Sequence, residues 1–441
     1  LNKKIYILVC ATILLFLQCK RKDEVFSTNP SDRLSFSQDT ISYDTLYADL
    51  HYPTQWLKVY NPNGGALSLT EVSLAGGASS PFKIIVNGQQ GPVVKGLELM
   101  GGDSLFVIVD LFFDSTATTL PYLIEDSIHF VFNGQEQTVI LKAVGKDAKL
   151  IAAGSLSCGT VWNNSKPIVL LGQTVVPAGC TLTIQKGTQV LASGGASLDI
   201  KGTLVVTGEK DQTVLLSGIS SGKNPGQWLG LRFYEGSTGN KLSWFNIQNA
   251  ATGLTFASTT APATMVDITI DHGIFNDFSN AAIDLSYTDL TATNCLFFAS
   301  AGTTTNFTKT GSARFNYCSW AGYSYDYYRE GPNINLSNVS GTLSLWLQHS
   351  IVWGDRYTEI TVDPAASITV DTCLVKSSSA LPGTGSILNQ DPLFKSPVTR
   401  NFQLQTGSPA IDKSVPSAVT DDLKGVLRDA LPDLGCYEYV P

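Results

Sequence analysis

Between residues 34 and 148 short runs of alternating apolar and polar residues are separated by turn signals. Residues 57–60 lead into Asn61-Pro62-Asn63-Gly64, residues 82–86 into Asn87-Gly88, and residues 128–132 into Asn133-Gly134, with further runs at 105–109 and 138–141. A period of two buries one face of a strand, and Asn-Gly supplies the positive φ angles of a tight hairpin. The pattern predicts an antiparallel β-sandwich with no helix in it.

From residue 149 the pattern becomes a long-period repeat. Trp244-Phe245-Asn246-Ile247, His272-Gly273-Ile274-Phe275, Asn294-Cys295-Leu296-Phe297, Tyr317-Cys318-Ser319-Trp320, His349-Ser350-Ile351-Val352 and Thr372-Cys373-Leu374-Val375 align. Their second members fall at 245, 273, 295, 318, 350 and 373, in steps of 28, 22, 23, 32 and 23. Such periods, with no helical pattern between them, predict one coil of three short strands per repeat, a parallel β-helix.

Strand alternation then makes Phe245, Gly273, Cys295, Cys318, Ser350 and Cys373 one inward column, and Ile247, Phe275, Phe297, Trp320, Val352 and Val375 the next. On this reading Cys295, Cys318 and Cys373 are small core residues, and Cys158 with Cys180 is the better disulfide candidate. The pattern Ile…Lys-Gly-Thr at 184–188 returns at 200–203, which is read as a tighter or register-shifted coil. Trp244, His272, Asn294, Tyr317, His349 and Thr372 form an outward column whose two histidines stand three coils apart, roughly 14 Å, too far to share a proton or metal.

Charged residues are only 15% of the 441 and apolar ones 43%, with 39 glycines, a mixture that suits strands and turns. The net charge of -8, with no Lys/Arg-rich run in the body, argues against nucleic acid as a partner. Eight cysteines include no C-x-x-C pair and none near a histidine at metal spacing, so no metal and no cofactor are expected.

Lys3 and Lys4 precede an apolar run at 5–17 of the length of an export signal. The run ends in Phe16-Leu17-Gln18-Cys19, which resembles the lipobox of bacterial lipoproteins, and that resemblance makes Cys19 the lipid-bearing residue. Lys22-Asp23-Glu24 resembles the surface-export signal of Bacteroidetes lipoproteins. Val59-Tyr60-Asn61-Pro62-Asn63 and Asp103-Ser104-Leu105-Phe106-Val107 look like the immunoglobulin-like modules of such proteins. The coils, with Pro225-Gly226-Gln227-Trp228-Leu229-Gly230, resemble right-handed parallel β-helix proteins of the same group. The stretch with Gly407-Ser408-Pro409-Ala410-Ile411-Asp412 and Leu434-Gly435-Cys436-Tyr437-Glu438 is similar to the signature that follows β-helices in choice-of-anchor Q proteins. The expected order is an all-β chain: signal peptide 1–18, tether 19–33, immunoglobulin-like β-sandwich 34–148, right-handed parallel β-helix 149–390 and closing segment 391–441.

Candidate chemistry concentrates in the long step between Cys318 and Ser350, which carries about ten extra residues. Tyr323, Tyr325, Tyr327 and Tyr328 surround Asp326, with Arg329 next, and His349, Asp355 and Arg356 follow. Exposed tyrosines suit stacking against sugar rings, or else fold back over the outward apolar column of Ile274, Leu296, Ile351 and Leu374. These nine residues are the candidate ligand-binding set, with no catalytic residue assigned. The expected protein is lipid-anchored at the outer-membrane cell surface, non-catalytic, and binds a polysaccharide or an outer-membrane protein through the β-helix flank. The alternatives are a β-helix polysaccharide lyase or hydrolase, and a structural adhesin or spacer.

Overall fold

A computed structural model describes residues 25–47, 54–111, 122–220, 223–257 and 261–441; Cys19, the tether before residue 25 and His51 lie outside them. The chain divides into two compact units after Asp147.

In the first unit two five-stranded sheets face each other. One orders Ser35–Phe36, Gln55–Tyr60, Ser104–Leu111, Phe82–Val86 and Gln89–Gln90. The other orders Thr40–Tyr47, Gln135–Lys146, Tyr122–Phe132, Leu67–Leu74 and Val93–Leu99. Asn87 and Gly88 have φ of 49° and 82°, and Asn133 and Gly134 have 49° and 71°, so both Asn-Gly pairs close the hairpins their sequence implies. Alternate residues such as Leu57, Val59, Ile84, Val86, Val107 and Val109 are fully buried between the sheets.

The second unit is the parallel β-helix: 24 described strands form one continuous ladder wound into three faces. On one coil, Ile351–Gly354 lies on the first face, Ile360–Val362 on the second and Ser367–Asp371 on the third. Each pairs in parallel with its counterpart on the coil before. Ile247, Phe275, Phe297, Trp320, Val352 and Val375 stand in register and are fully buried, which is the inward column the repeat demands. Phe275 stacks on Phe297 at 4.8 Å and Phe297 on Trp320 at 4.9 Å, each such pair adding about 0.5–1.5 kcal/mol beyond burial. In the neighbouring column Gly273 makes room for a ring, since a Cβ there would meet Phe245 Cζ at 2.6 Å.

Third and first faces meet at a one-residue left-handed corner. Trp244, His272, Asn294, Tyr317, His349 and Thr372 occupy it with φ between 48° and 52°. Residues other than glycine pay roughly 1–2 kcal/mol there. Stacking offsets part of this cost: Trp244 lies 3.9 Å from His272 and Tyr317 4.8 Å from His349.

Two expectations need correction. The Lys-Gly-Thr pattern does not mark a coil: Lys186-Gly187-Thr188 turns from third to first face and Lys201-Gly202-Thr203 from second to third, both within one circuit. The outward apolar column of the first face is covered mainly by the closing segment, not by the tyrosine insertion. Leu296, Phe298, Ala321, Ile351 and Leu374 pack against Phe394, Phe402, Leu404, Ala410, Leu423 and Leu434, with Tyr323 and Tyr327 only at the margin. Arg428 fastens this strap, lying 3.8 Å from the Tyr317 ring and donating to Asn294 Oδ1 and Glu438 Oε2. Cys158 and Cys180 form a disulfide between adjacent coils, while Cys295, Cys318, Cys373 and Cys436 are buried free thiols.

Candidate functional site

Strands Ser319–Gly322 and Ile351–Gly354 both end in glycine at the corner between first and second faces, and the extra residues 323–333 leave the coil there. Glycine is needed because a buried ion pair lies against the backbone: a Cβ at Gly322 or Gly354 would collide with Arg329. Arg329 Nη2 donates to Glu359 Oε1 at 2.7 Å and to Gly322 O at 2.8 Å, while Nη1 donates to Gly331 O at 2.6 Å. Glu359 also accepts from the backbone N–H groups of Arg356 and Asn333. One pair out of water thus pins both ends of the insertion and the turn bearing Asp355.

On this base the aromatic rings form a stack. Tyr323 lies parallel to Tyr325 at 5.4 Å and to Phe402 at 6.3 Å, with Phe394 edge-on. Tyr323 is half-buried, and Tyr325 at the end of the stack is 56% exposed. Burial pushes the Tyr323 hydroxyl well up, and the charges of Asp391 and Asp355 push it further. Both carboxylates belong to exposed residues and come from different segments. Asp355 Oδ2 accepts the N–H of Ser324 at 2.7 Å, and Asp391 Oδ1 accepts that of Leu393 at 2.8 Å. The outcome is two acidic groups near one tyrosine hydroxyl, beside an open aromatic face.

A second cluster fastens the insertion to its surroundings. Arg400 donates to both oxygens of the buried Asp277 at 2.8 and 2.6 Å and, through Nε, to Asp326 Oδ2 at 2.9 Å. Lys223 reaches Asp326 Oδ1 at 3.1 Å, and Tyr327 donates to Asp277 Oδ1 at 2.9 Å. Burial raises the Asp326 carboxyl, but Arg400 and Lys223 overcome it and leave the group below the ordinary aspartate value. Burial and Asp277 hold the Tyr327 hydroxyl well up.

The structure therefore gathers Tyr323, Tyr325, Asp355 and Arg356 at one corner, uses Asp326 and Tyr327 in the clasp and buries Arg329 beneath them. Tyr328 stands 77% exposed with no ring partner among the described residues. His349 does not belong to the group: it sits at the opposite corner, its Nδ1 2.8 Å from Asn316 Oδ1, with its pKa lowered by burial and then by Arg428. Asp391, Phe402, Arg400, Asp277 and Lys223 were not singled out from the sequence. They arrive from coils and a strap far along the chain, and only the extra length of the insertion hinted that something meets it. Among the described residues no group of three or more His, Cys, Asp or Glu side chains could hold a metal ion.

No family model matches the chain, and no curated protein matches it. Among solved structures, the catalytic domain of a GH87 α-1,3-glucanase in complex with nigerose aligns with 81% of this chain and 91% of its own, at 10% identity and a TM-score of 0.18. A family 123 glycoside hydrolase from Clostridium perfringens aligns over 26% of each chain at 10% identity and a TM-score of 0.18, so this chain spans about a quarter of that protein. Both of these similar proteins are glycoside hydrolases. The expected ligand-binding flank is corrected by the geometry, because Arg329, Asp326 and Tyr327, meant to form it, are consumed by internal contacts.

Proposed function

We propose that this chain is a polysaccharide-cleaving enzyme, a hydrolase working at the corner of Asp355 and Asp391. The observation that supports the reading is a pair of exposed carboxylates, Asp355 and Asp391, whose charges both act on the Tyr323 hydroxyl, beside the open face of Tyr325. Hydrolysis of a glycosidic bond needs one carboxylic acid to protonate the departing oxygen and a second carboxylate to activate water or attack the sugar carbon. An exposed tyrosine face holds a pyranose ring by apolar contact while its hydroxyl stays wet. Arg329 and Glu359 act from beneath as positioning residues. The lyase alternative calls for a base beside cations that neutralise a substrate carboxylate, and here two acids stand with Arg356, whose Nη1 is turned to the Arg329 carbonyl.

The test is a panel of neutral and acidic polysaccharides incubated with the full chain, with new reducing ends and new unsaturated ends read separately. Reducing ends without unsaturated ends are expected. Asp355→Asn and Asp391→Asn should each lower turnover about 10²–10⁴-fold with the unfolding transition unchanged. Tyr325→Ala should raise KM more than it lowers kcat. Cleavage that survives both Asn substitutions would sink the assignment.

Location is a separate proposal, supported by the resemblances at the N-terminus. Lipid on Cys19 tethers the chain to the outer membrane at the surface of a Bacteroidetes cell. Incorporation of labelled palmitate, lost in Cys19→Ser, tests it.

A further inference from the structure

The second face carries a cluster that the hydrolytic corner does not use. Asp199 on Ser197–Ile200 pairs across the ladder with Arg232 on Leu231–Phe233, in one outward column. The column runs on through Thr255, Asp284, Asn306, Asn335 and Thr361, five further rungs, which places the cluster roughly 24 Å from the coil of Glu359.

Asp199 is wholly out of water, yet its carboxylate is fully engaged. Oδ2 accepts from Gln173 Nε2 at 2.5 Å and from the Tyr234 hydroxyl at 2.7 Å, with Arg232 Nη1 at 3.6 Å, and Oδ1 accepts from Ser197 at 2.7 Å. Those bonds fix the Tyr234 ring and the Arg232 guanidinium in place. On the solvent side Lys201 Nζ and Arg232 Cζ flank the Tyr234 ring, 5.5 and 5.6 Å from its centroid. Lys201 has no carboxylate partner among the described residues, and Glu235, which follows Tyr234 directly, accepts the N–H of Ala263 at 3.4 Å. Asp199 offsets one of the two cations, so the cluster keeps an excess positive charge in a molecule whose net charge is -8. An ammonium and a guanidinium held around one aromatic ring, with the Gln173 amide oxygen nearby, match an anionic group on a polyhydroxylated ring.

We propose that Lys201, Arg232 and Tyr234, seated on Asp199, form an accessory binding site for an acidic sugar unit, one bearing a carboxylate or a sulfate. The site is independent of cleavage and stands whether or not the Asp355 corner turns over.

Binding of the full chain is measured calorimetrically with four probes: an oligogalacturonate, a sulfated κ-carrageenan oligosaccharide, a neutral malto-oligosaccharide of matching length and sodium sulfate. At least one acidic oligosaccharide should bind, more weakly as salt is raised, and more tightly than either the neutral sugar or bare sulfate. Which of the two binds identifies the acidic group. Lys201→Ala should lower that affinity about tenfold, as expected for losing one charge-assisted contact, and Lys201→Arg should retain most of it. Arg232→Met is the companion variant, but it strips a cation from a buried carboxylate and can unfold the coil, so the exposed Lys201 carries the decision. The site is refuted by no acidic binding, by equal affinity for the neutral sugar or sulfate, or by Lys201→Ala binding like the parent. The Asp355→Asn/Asp391→Asn double variant separates the two proposals, since it should lose cleavage and keep acidic-sugar binding.

Discussion

Arg329→Met removes the guanidinium that three acceptors share at the base of the insertion. Glu359, wholly buried, keeps only the two backbone donors of Arg356 and Asn333, and the carbonyls of Gly322 and Gly331 each lose a donor. Breaking a buried pair from one side costs about 3–5 kcal/mol, because the remaining charge is stranded in a poor solvent. Removing both charges in Arg329→Met/Glu359→Gln should cost less, about 1–2 kcal/mol. The difference is the coupling between the two residues. Since the pair closes the corner, the loss falls first on local opening of residues 323–333. About 4 kcal/mol corresponds to nearly a thousandfold loss of protection. Hydrogen exchange followed by mass spectrometry reads it at the amide of Glu330, bound to Ala301 O, and that of Asn333, bound to Glu359. Cleavage should fall with it through kcat, because Asp355 loses its fixed place. A single variant with less than a tenfold change in protection, or a double variant as damaged as the single, would show that the pair is not the anchor.

Other consequences follow from single contacts. Burial raises Asp433 to about 6, so its folded form holds a proton more tightly than the unfolded chain does. Its contribution favours folding below about pH 4 and is lost as pH rises to about 6, amounting to about 3 kcal/mol. Stability curves of parent and Asp433→Asn should therefore diverge across that window and run parallel above it. Trp320→Ala empties the middle of an aromatic column and should cost about 3–5 kcal/mol in urea unfolding. Cys180→Ala opens a loop of 22 residues and should lower the stability of the first coils by about 3 kcal/mol, seen as earlier proteolysis there. The thiols of Cys295, Cys318, Cys373 and Cys436 should stay unreactive to an aromatic disulfide reagent until the chain unfolds, since burial raises the pKa of Cys295, Cys373 and Cys436 and no thiol reaches solvent.

The columns were legible because stacked coils repeat like over like: a small residue at 273, 295, 318, 350 and 373 and a large one two places on cannot be read as another architecture. Hairpin positions were legible for the same local reason, Asn-Gly pairs that take positive φ cheaply. The corner of Asp355 and Asp391 was only half legible. Tyr323, Tyr325 and Asp355 stand close in sequence, whereas Asp391, Phe402 and Arg400 reach them through the path of the closing strap. No periodicity encodes that path, since residues 391–441 pack by shape and charge rather than by repeat. Lys-Gly-Thr misled because two corners of one coil need the same sharp turn, and local turn chemistry does not say which corner it serves. Arg329 misled as well: a charged residue within an exposed-looking insertion reads as surface until Glu359 is seen beneath it.

The strap also bears on how the molecule is made. Coils can stack as they leave the ribosome, but Leu296, Phe298, Ile351 and Leu374 stay uncovered until residues 394–438 have been synthesised and have docked. For that interval the nascent chain shows an oily stripe along a finished solenoid, the kind of surface that invites chaperones or neighbouring chains. A stop codon just before the strap would thus yield a protein whose coils are intact yet which clumps, and its failure would be one of solubility before it was one of folding.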